Sequence, residues 1–432
     1  LAYVGGVTAD PATRCVVVGG GPGGVMLAYL LARGGVAVTL LESRPDFDRQ
    51  FRGDTLAPPV LELLDTLGLA DPLLASVPHG TADAFMWSTP TRSYRLADYR
   101  RTSAKYPYYA LVPQGRFLPF MVEEAGRFPG FRVEMGARVS TLLRDDGGRV
   151  TGVEYVRDGE RRRSRTDLVV GADGRNSKVR TLSSITATEL GAHLDICWFE
   201  VPRRDGDPPL SGLGLIADPG TTLAVLGQAA SWQLGYTIPA GGFPALRTAG
   251  IGPVTSAFHR RLPWLGDRLD GLSEVNQLSL LPVRITRTDR WSEPGLLLIG
   301  DAAHVISPVG GNGVNYAVLD AVEAANRLVG ALSADPVDPA AVDAATAAVE
   351  AARRPQVDRD QLRQKRTERS AAKRLRSGDP RPPLVLRLLS AVPAVARLVA
   401  ARGVRALAAP PVDDRILHPA AGVTPRSSAP PG

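Results

Sequence analysis

Apolar residues follow strand and helix spacing in turn along the first 42 positions. The short run RCVVV (14–18) predicts a strand, and VMLAYLLAR (25–33) has apolar residues at helical spacing. Between them GGGPGG (19–24) predicts a tight turn, and VAVTLLE (36–42) predicts a second strand. The pattern therefore predicts strand, glycine turn, helix and strand within about 30 residues.

The pattern changes farther along the chain. Short alternating runs with Gly and Pro turns fill 190–285 and predict a β-sheet region, whereas residues from about 315 onward predict helices. Prolines at 355, 380, 382, 383 and 393 are expected to interrupt the helices of 340–408. We therefore predict a mixed α/β fold, in which a nucleotide-binding unit is interrupted by β-rich insertions and completed late in the chain.

The glycine turn has the spacing of a dinucleotide-binding fingerprint. Gly19, Gly21 and Gly24 satisfy G-x-G-x-x-G, and Glu42 ends the second predicted strand. The first glycine makes the turn, the second admits a pyrophosphate, and the third lets helix and strand pack closely. A carboxylate at Glu42 suits ribose hydroxyls and would repel a 2′-phosphate. The site therefore suits the ADP moiety of FAD or NAD rather than NADP.

Composition narrows the possible chemistry. The chain has 432 residues, of which 44% are hydrophobic and 22% charged, as in folded domains. Cys15 and Cys197 are too few for a disulfide framework or a zinc site. His79, His259 and His418 have no acidic or cysteine partner at ligand spacing, so we predict no metal. With no long apolar run and no signal-like start, a cytoplasmic protein is expected.

The net charge of +7 is concentrated near the C-terminus. Residues 353–405 hold 15 Arg/Lys and 4 Asp/Glu, a net +11, which leaves −4 elsewhere. This segment has no aromatic residue for stacking and matches no nucleic-acid-binding module, so no nucleic acid partner is expected. The apolar faces of 382–407 could rest on an acidic membrane surface, but packing over the rest of the fold is preferred.

Three motifs in order resemble the p-hydroxybenzoate hydroxylase family of class A FAD-dependent monooxygenases. They are the fingerprint at 19–24 with Glu42, GADGRNS at 171–177, and GDAAHVISPVGGNGVN at 300–315. The resemblance covers roughly residues 14–405 and implies a Rossmann-like FAD-binding domain, an inserted β-sheet substrate domain and C-terminal helices, without the thioredoxin-like domain of longer members.

The resemblance also implies a division of the chain. FAD-binding segments are expected at 14–79, 114–189 and 286–335, substrate-domain segments at 80–113 and 190–285, C-terminal helices at 336–408, and a disordered tail at 409–432.

The family resemblance implies roles for individual residues of this chain. Arg52 and Gln114 resemble the FAD-contacting arginine and glutamine, and Asp301 the aspartate bound to the ribityl chain. His304 is interpreted as a structural hydrogen-bonding residue. The expected cofactor-binding residues are Gly19, Gly21, Pro22, Gly24, Glu42, Ser43, Arg44, Arg52, Gln114, Asp173, Gly300, Asp301, Pro308, Gly310, Gly311, Asn312, Gly313 and Asn315, with Asp173, Gly174 and Arg175 between FAD and the nicotinamide donor.

The implied reaction is monooxygenation of an electron-rich, aromatic or polyketide-like hydrophobic small molecule. Tightly but non-covalently bound FAD would be reduced by transient NADPH or NADH and would react with O₂ to give a C4a-hydroperoxide. A single fingerprint fits one tightly held dinucleotide. Tyr236 and His193 are the weak candidates for a catalytic base. Ring hydroxylation and Baeyer–Villiger insertion stay open, as do a monomer and a homodimer.

Two other functions compete with monooxygenation. WQLGYTIPAGG (232–242) faintly resembles the cavity motif of geranylgeranyl reductases, which makes an FAD-dependent C=C reductase the alternative enzyme. The same segment resembles the halogenase W-x-W-x-I-P motif, but Leu234 and Tyr236 stand at its tryptophan positions. A non-enzymatic flavin-binding scaffold that docks through the basic helices is the remaining alternative.

Overall fold

The computed structural model describes residues 8–9, 13–48, 55–191, 193–208, 213–308, 311–377 and 392–419. Its helices are α1 (Pro22–Arg33), α2 (Pro58–Thr66), α3 (Ala70–Ser76), α4 (Gln114–Gly126), α5 (Lys178–Leu182), α6 (Phe243–Ala249), α7 (Gly252–Arg261), α8 (Gly313–Leu332), α9 (Pro339–Ser377), α10 (Pro393–Ala406) and α11 (Asp414–Leu417), with 3₁₀ turns at Tyr99–Arg101, Pro263–Leu269, Val275–Gln277 and Gly300–Ala302.

The strands form five sheets among the described residues. They are β1 (Thr8–Ala9), β2 (Cys15–Val18), β3 (Val38–Glu42), β4 (Thr55–Leu56), β5 (Gly80–Ala82), β6 (Ala84–Ser88), β7 (Ser93–Asp98), β8 (Tyr109–Leu111), β9 (Phe131–Met135), β10 (Arg138–Arg144), β11 (Val150–Arg157), β12 (Glu160–Arg165), β13 (Leu168–Gly171), β14 (Ala187–Gly191), β15 (Leu194–Pro202), β16 (Leu213–Asp218), β17 (Thr221–Gly227), β18 (Ser231–Pro239), β19 (Ser279–Pro282), β20 (Ile285–Thr288), β21 (Ser292–Glu293), β22 (Leu296–Leu298) and β23 (His304–Val305).

A six-stranded sheet in the order β21–β22–β13–β2–β3–β9 carries the predicted nucleotide-binding unit. The pairs from β22 to β9 are parallel, and only the short β21 runs antiparallel to its neighbour. Strands β2, β13 and β22 are completely buried, as their unbroken apolar sequences require in a parallel sheet. Their carboxyl ends lie side by side, at the edge where open α/β sheets bind ligands.

A seven-stranded sheet in the order β19–β15–β18–β17–β16–β6–β7 forms a second layer. One face packs into a separate apolar core together with α6, α7 and the turn at Pro263–Leu269. This core contains Cys197, Phe199 and Trp232 from the strands and Phe258 from α7. On the opposite face, Phe85 and Leu226 pack against the core of the nucleotide-binding unit. The two faces therefore have different partners.

The helices of 243–261 were not predicted, because the Gly- and Pro-rich sequence of 240–253 lacks a clear helical period. The three smaller sheets are β1–β12–β11–β10, β4–β8–β5 and β14–β20–β23. Strand β23 lies inside the motif at 300–315, so this motif is paired to the β-rich region through β20. The prediction of a mixed α/β fold with C-terminal helices is confirmed.

The expectation that Pro355 interrupts a helix is wrong. Helix α9 runs without a break from Pro339 to Ser377, with Pro355 inside it. A proline removes one helical hydrogen bond, so the helix needs compensating contacts. Arg353 supplies one by donating from Nε to Asp320 Oδ1 (2.9 Å), and Asp358 supplies another as the ion-pair partner of Arg287 (3.0 Å).

The expected disordered tail also needs correction over residues 409–419. Helix α11 lies in this segment, and Ile416 on it is completely buried. Arg33 at the end of α1 donates from Nε to Ile416 O at 2.9 Å, and Asn326 on α8 donates to Pro411 O at 2.8 Å. One buried isoleucine and these main-chain contacts dock the segment on α1 and α8. Residues 420–432 lie outside the described residues.

No helix within the described ranges is both long and apolar enough to span a membrane. The division of the chain into domain segments stays a prediction.

Candidate functional site

The glycine turn after β2 is in direct main-chain contact with the GADGRNS motif. Gly19 has φ +108°, and a Cβ on it would lie 2.6 Å from the carbonyl of Ala172. Ala172 in turn donates its N–H to Val18 O at 2.7 Å. A Cβ on Gly24 would lie 1.9 Å from Gly19 O. Gly19 and Gly24 are therefore required by backbone packing before any ligand is considered.

Helix α1 begins directly at this turn. Gly21 is its N-cap residue and makes no side-chain cap, and Pro22 occupies the first helical position. The helix start therefore offers main-chain N–H groups and the positive end of the helix dipole, without a side chain over them. This is the arrangement that binds a pyrophosphate.

Glu42 ends β3 beside the same turn and is only 4% exposed. Its Oε2 accepts from the N–H of Gly20 at 2.8 Å, and its Oε1 accepts from the N–H of Arg44 at 2.9 Å and the hydroxyl of Ser43 at 3.1 Å. The carboxylate is thus fixed against the glycine turn. A ribose hydroxyl placed beside this turn would meet a fixed carboxylate as its acceptor.

In the second motif, Asp173 stabilises the short helix α5. Its Oδ2 accepts from the N–H groups of Lys178 (2.6 Å) and Val179 (3.0 Å), and its Oδ1 accepts from the Ser177 hydroxyl. Burial raises the pKa of Asp173, although these hydrogen bonds act in the opposite direction. The structure therefore shows a helix-capping role for this carboxyl, and its contact with the nicotinamide donor stays a prediction.

Arg175 connects the second motif to the third. Its guanidinium lies 3.8 Å from Asp301 Oδ2 and donates to the carbonyl of Pro282, at the end of β19, at 3.3 Å. Asp301 is one-third exposed, at the start of the third motif. Arg175 therefore lies where the nucleotide-binding sheet, the 300–315 loop and the second sheet meet.

A buried polar network supports the beginning of the 300–315 loop. Asp320 on α8 is completely buried and accepts from Gly300 N at 3.0 Å. The same carboxylate contacts His304 Nε2 at 2.7 Å and Arg353 Nε at 2.9 Å. Burial alone would raise the pKa of Asp320, but His304 and Arg353 hold it below its usual value. The position of His304 agrees with its interpretation as a structural residue.

Asn315 supports the other end of this loop. Its side chain accepts from Ala57 N at 2.8 Å and donates to Thr55 O at 3.2 Å, and it is completely buried. Thr55 also donates its hydroxyl to Gly311 O. Gly311 has φ +68°, and a Cβ on it would lie 2.6 Å from Thr55 Oγ1. Asn315 therefore ties α8 to the segment after residue 54.

The start of α8, between these two supports, has the properties expected of a flavin-binding surface. Helix α8 begins at Gly313 without a side-chain cap, and space is open where a Gly313 side chain would be. Asn312 Oδ1 is buried and has no hydrogen-bond partner among the described residues. Uncapped N–H groups and an orphaned amide oxygen fit the polar edge of a flavin ring.

Residues 12–354 match the family described as "FAD binding domain". The chain belongs to the class A FAD-dependent monooxygenases. It is 34% identical over 350 residues to 6-methylpretetramide 4-monooxygenase of Streptomyces rimosus, which covers 80% of this chain and 81% of that protein. It is 30% identical over 380 residues to protoasukamycin 4-monooxygenase of Streptomyces nodosus subsp. asukaensis, covering 82% and 88%.

Solved structures agree with the fold of the monooxygenase. A variant of PqsL from P. aeruginosa superposes with a TM-score of 0.71 at 22% identity, and covers 84% of this chain and 96% of that one. The family resemblance drawn from the three motifs is therefore confirmed. The FAD contacts of individual residues stay predictions.

The structure does not describe all of the predicted site residues. Arg52 and Gly310 lie outside the described residues. Gln114 is buried at the start of α4, and Pro308 lies five residues before the start of α8, where the flavin is expected to bind. The side chains of Ser43 and Arg44 are exposed beside Glu42.

The two candidate bases differ in position. Tyr236 packs against the core formed with α6 and α7, and burial raises the pKa of its hydroxyl. This position, together with the raised pKa, does not favour the role of base. His193 precedes β15, near the end of the sheet that Arg175 contacts, and its Nε2 is buried without a hydrogen-bond partner among the described residues. His193 stays a prediction.

Sequence reasoning missed Asp320, Arg353 and Arg180. Arg180 donates to Ala302 O at 2.6 Å and to Arg175 O at 2.8 Å, and so joins the second and third motifs. Burial lowers the pKa of Arg180, although Asp173 and Asp301 oppose the shift. The sequence did contain one signal of this network, because Asp320 is an acid within the apolar stretch of α8. A charge buried at such a position needs a partner of opposite charge.

The assignment of the loop to FAD predicts the behaviour of Asp301→Ala. Removal of the carboxylate that would accept from a ribityl hydroxyl should weaken FAD binding by roughly tenfold or more and yield a folded but colourless protein. The ratio of flavin to protein absorbance and the far-UV circular dichroism spectrum measure both properties. Asp146→Ala, an exposed acid in the turn after β10, is the matched control. Full flavin occupancy in Asp301→Ala would contradict the assignment.

Proposed function

We propose that this monooxygenase hydroxylates an electron-rich, polycyclic aromatic substrate bound between the flavin and the second sheet. The observation that carries the proposal is an apolar, half-buried sheet face whose β19 edge is contacted by Arg175 beside the flavin loop. FAD, when bound and reduced by NAD(P)H, would supply the activated oxygen. The name of one relative, 6-methylpretetramide 4-monooxygenase, supports this choice of substrate.

The sheet face that carries the proposal is organised around Gly235. One cross-strand row runs Trp87–Leu215–Ala224–Gly235–Trp198. A Cβ on Gly235 would lie 2.9 Å from Trp198 Cζ3 and 3.1 Å from Ala224 Cβ. The indole of Trp198 can therefore lean over Gly235 along the sheet instead of standing away from it. Ala224 and Gly235 are small, and the indoles of Trp87 and Trp198 beside them are half-buried. Together they form an apolar surface that suits a planar ring system.

The protein's part in the proposed reaction is to orient the substrate and exclude water. The apolar row would hold an aromatic ring flat, and the Arg175–Asp301 pair would separate this region from the nucleotide side. The base, where the substrate needs one, would be His193 rather than Tyr236. In the overall reaction, substrate, O₂, NAD(P)H and a proton give hydroxylated product, water and NAD(P)⁺, so one oxygen atom enters the product.

The experiment that tests this function uses the purified protein with FAD, NADPH or NADH, ¹⁸O₂ and 6-methylpretetramide as the probe. We expect anaerobic bleaching of the flavin by at least one nicotinamide, and a product heavier by one ¹⁸O atom by mass spectrometry. p-Nitrophenol serves as the one-ring comparison. Flavin reduction with a product that gains hydrogen and no ¹⁸O would overturn the proposal and favour a C=C reductase.

The stacking surface makes a separate prediction. Trp198→Ala should raise KM for the four-ring probe by roughly fivefold to tenfold and change kcat less, because the indole would contribute binding in both the ground and transition states. Trp198→Phe should lie between wild type and Trp198→Ala. Trp264→Phe, on the opposite side of the sheet against Trp232, is the control and should leave KM unchanged. An unchanged KM in Trp198→Ala would remove Trp198 from the binding surface.

A further inference from the structure

Helix α9 carries three polar residues on the side that contacts the 300–315 loop. Gln361, Gln364 and Glu368 follow one another at spacings of three and four, which places them on one helix face. Gln361 is completely buried and Glu368 is 1% exposed. Burial of polar side chains costs free energy unless they form hydrogen bonds. The partners of these three side chains therefore indicate their role.

Two of the three side chains hold the main chain of the loop. Gln364 Oε1 accepts from Ser307 N at 2.9 Å. Gln361 Nε2 donates to Val305 O at 3.0 Å and to Thr286 O at 2.7 Å, so it binds both strands of the β20–β23 pair. The main chain at 305–307 is therefore fixed from α9 immediately before Pro308.

Glu368 lies near the same point of the loop. Burial raises the pKa of Glu368, and the Ser307 hydroxyl acts in the opposite direction. Ser307 itself is completely buried.

We propose that the Gln361–Gln364–Glu368 stripe of α9 positions the flavin, with Gln364 as the principal positioning residue. The loop is clamped at one end by Gln364 on Ser307 and at the other by Asn315 on Ala57 and Thr55. Between these clamps lie Pro308 and the uncapped start of α8. The stripe thus sets how closely the positive end of α8 approaches the flavin. This inference rests on the proposed flavin contacts of the loop, and it is independent of the substrate.

The test compares full-length Gln364→Met with wild type. Methionine has a similar size but offers no strong acceptor to Ser307 N. We expect the Kd for FAD, from quenching of flavin fluorescence on reconstitution, to rise roughly threefold to tenfold. We also expect the midpoint potential of bound flavin to shift downward, because a displaced helix end favours the reduced anion less.

A matched control separates this role from ordinary packing. Gln277→Met also removes hydrogen bonds to main chain, at Ser273 N, Glu274 N and Gly271 O, but in the turn at Val275–Gln277. It should lower the stability of the protein without a change in flavin Kd or potential. Loss of stability in Gln364→Met with both flavin properties unchanged would overturn the proposal.

Glu368→Gln provides the second variant. The substitution keeps the size of the side chain and leaves the contacts of Gln361 and Gln364 with the loop in place, so FAD affinity should stay within about twofold of wild type. A loss of FAD affinity as large as that of Gln364→Met would overturn Gln364 as the principal positioning residue. None of these measurements uses substrate turnover, so their failure is distinguishable from failure of the proposed hydroxylation.

Discussion

The predicted nucleotide-binding unit of this monooxygenase depends on the close contact of two main-chain segments, at Gly19 and at Ala172. A side chain on Gly19 would overlap the Ala172 carbonyl, and one on Gly24 would overlap Gly19 O. The contact holds the ends of β2 and β13 together, and the start of α1 and the second motif follow from it. Residues without a Cβ are thus needed for the fold itself, and the same lack of side chains opens the helix end to a phosphate.

From this contact the site extends through polar links. Arg180 and Arg175 connect the second motif to the 300–315 loop, and Asp320, His304 and Arg353 hold that loop against α8 and α9. Buried ion pairs contribute little net stability, yet removal of one partner is costly. This network therefore fixes the position of the loop more than it stabilises the fold. The β19 edge of the second sheet then meets the loop at Arg175, where the proposed cofactor and substrate regions would adjoin.

The local elements could be predicted from the sequence, and the long-range partners could not. The glycine spacing and Glu42 predicted the β2–α1–β3 unit because each signal is local. Alternation in 190–285 predicted strands but not which partner each strand face has. Tyr236 was a weak candidate for a base, and its side chain packs against the core formed with α6 and α7. Pro355 predicted a helix end, but the ties of Arg353 and Asp358 to distant elements keep α9 continuous.

We expect the glycine turn with Glu42 to hold the ADP half of one FAD molecule, and the 300–315 motif to hold its flavin half. The most direct measurement is a titration of flavin-free protein with FAD and, separately, with FMN, followed by flavin fluorescence. We expect FAD to bind at least about 100-fold more tightly than FMN, or roughly 3 kcal/mol, because FMN lacks the AMP portion that would lie against the glycine turn, the start of α1 and Glu42. Equal affinity for FAD and FMN would contradict it.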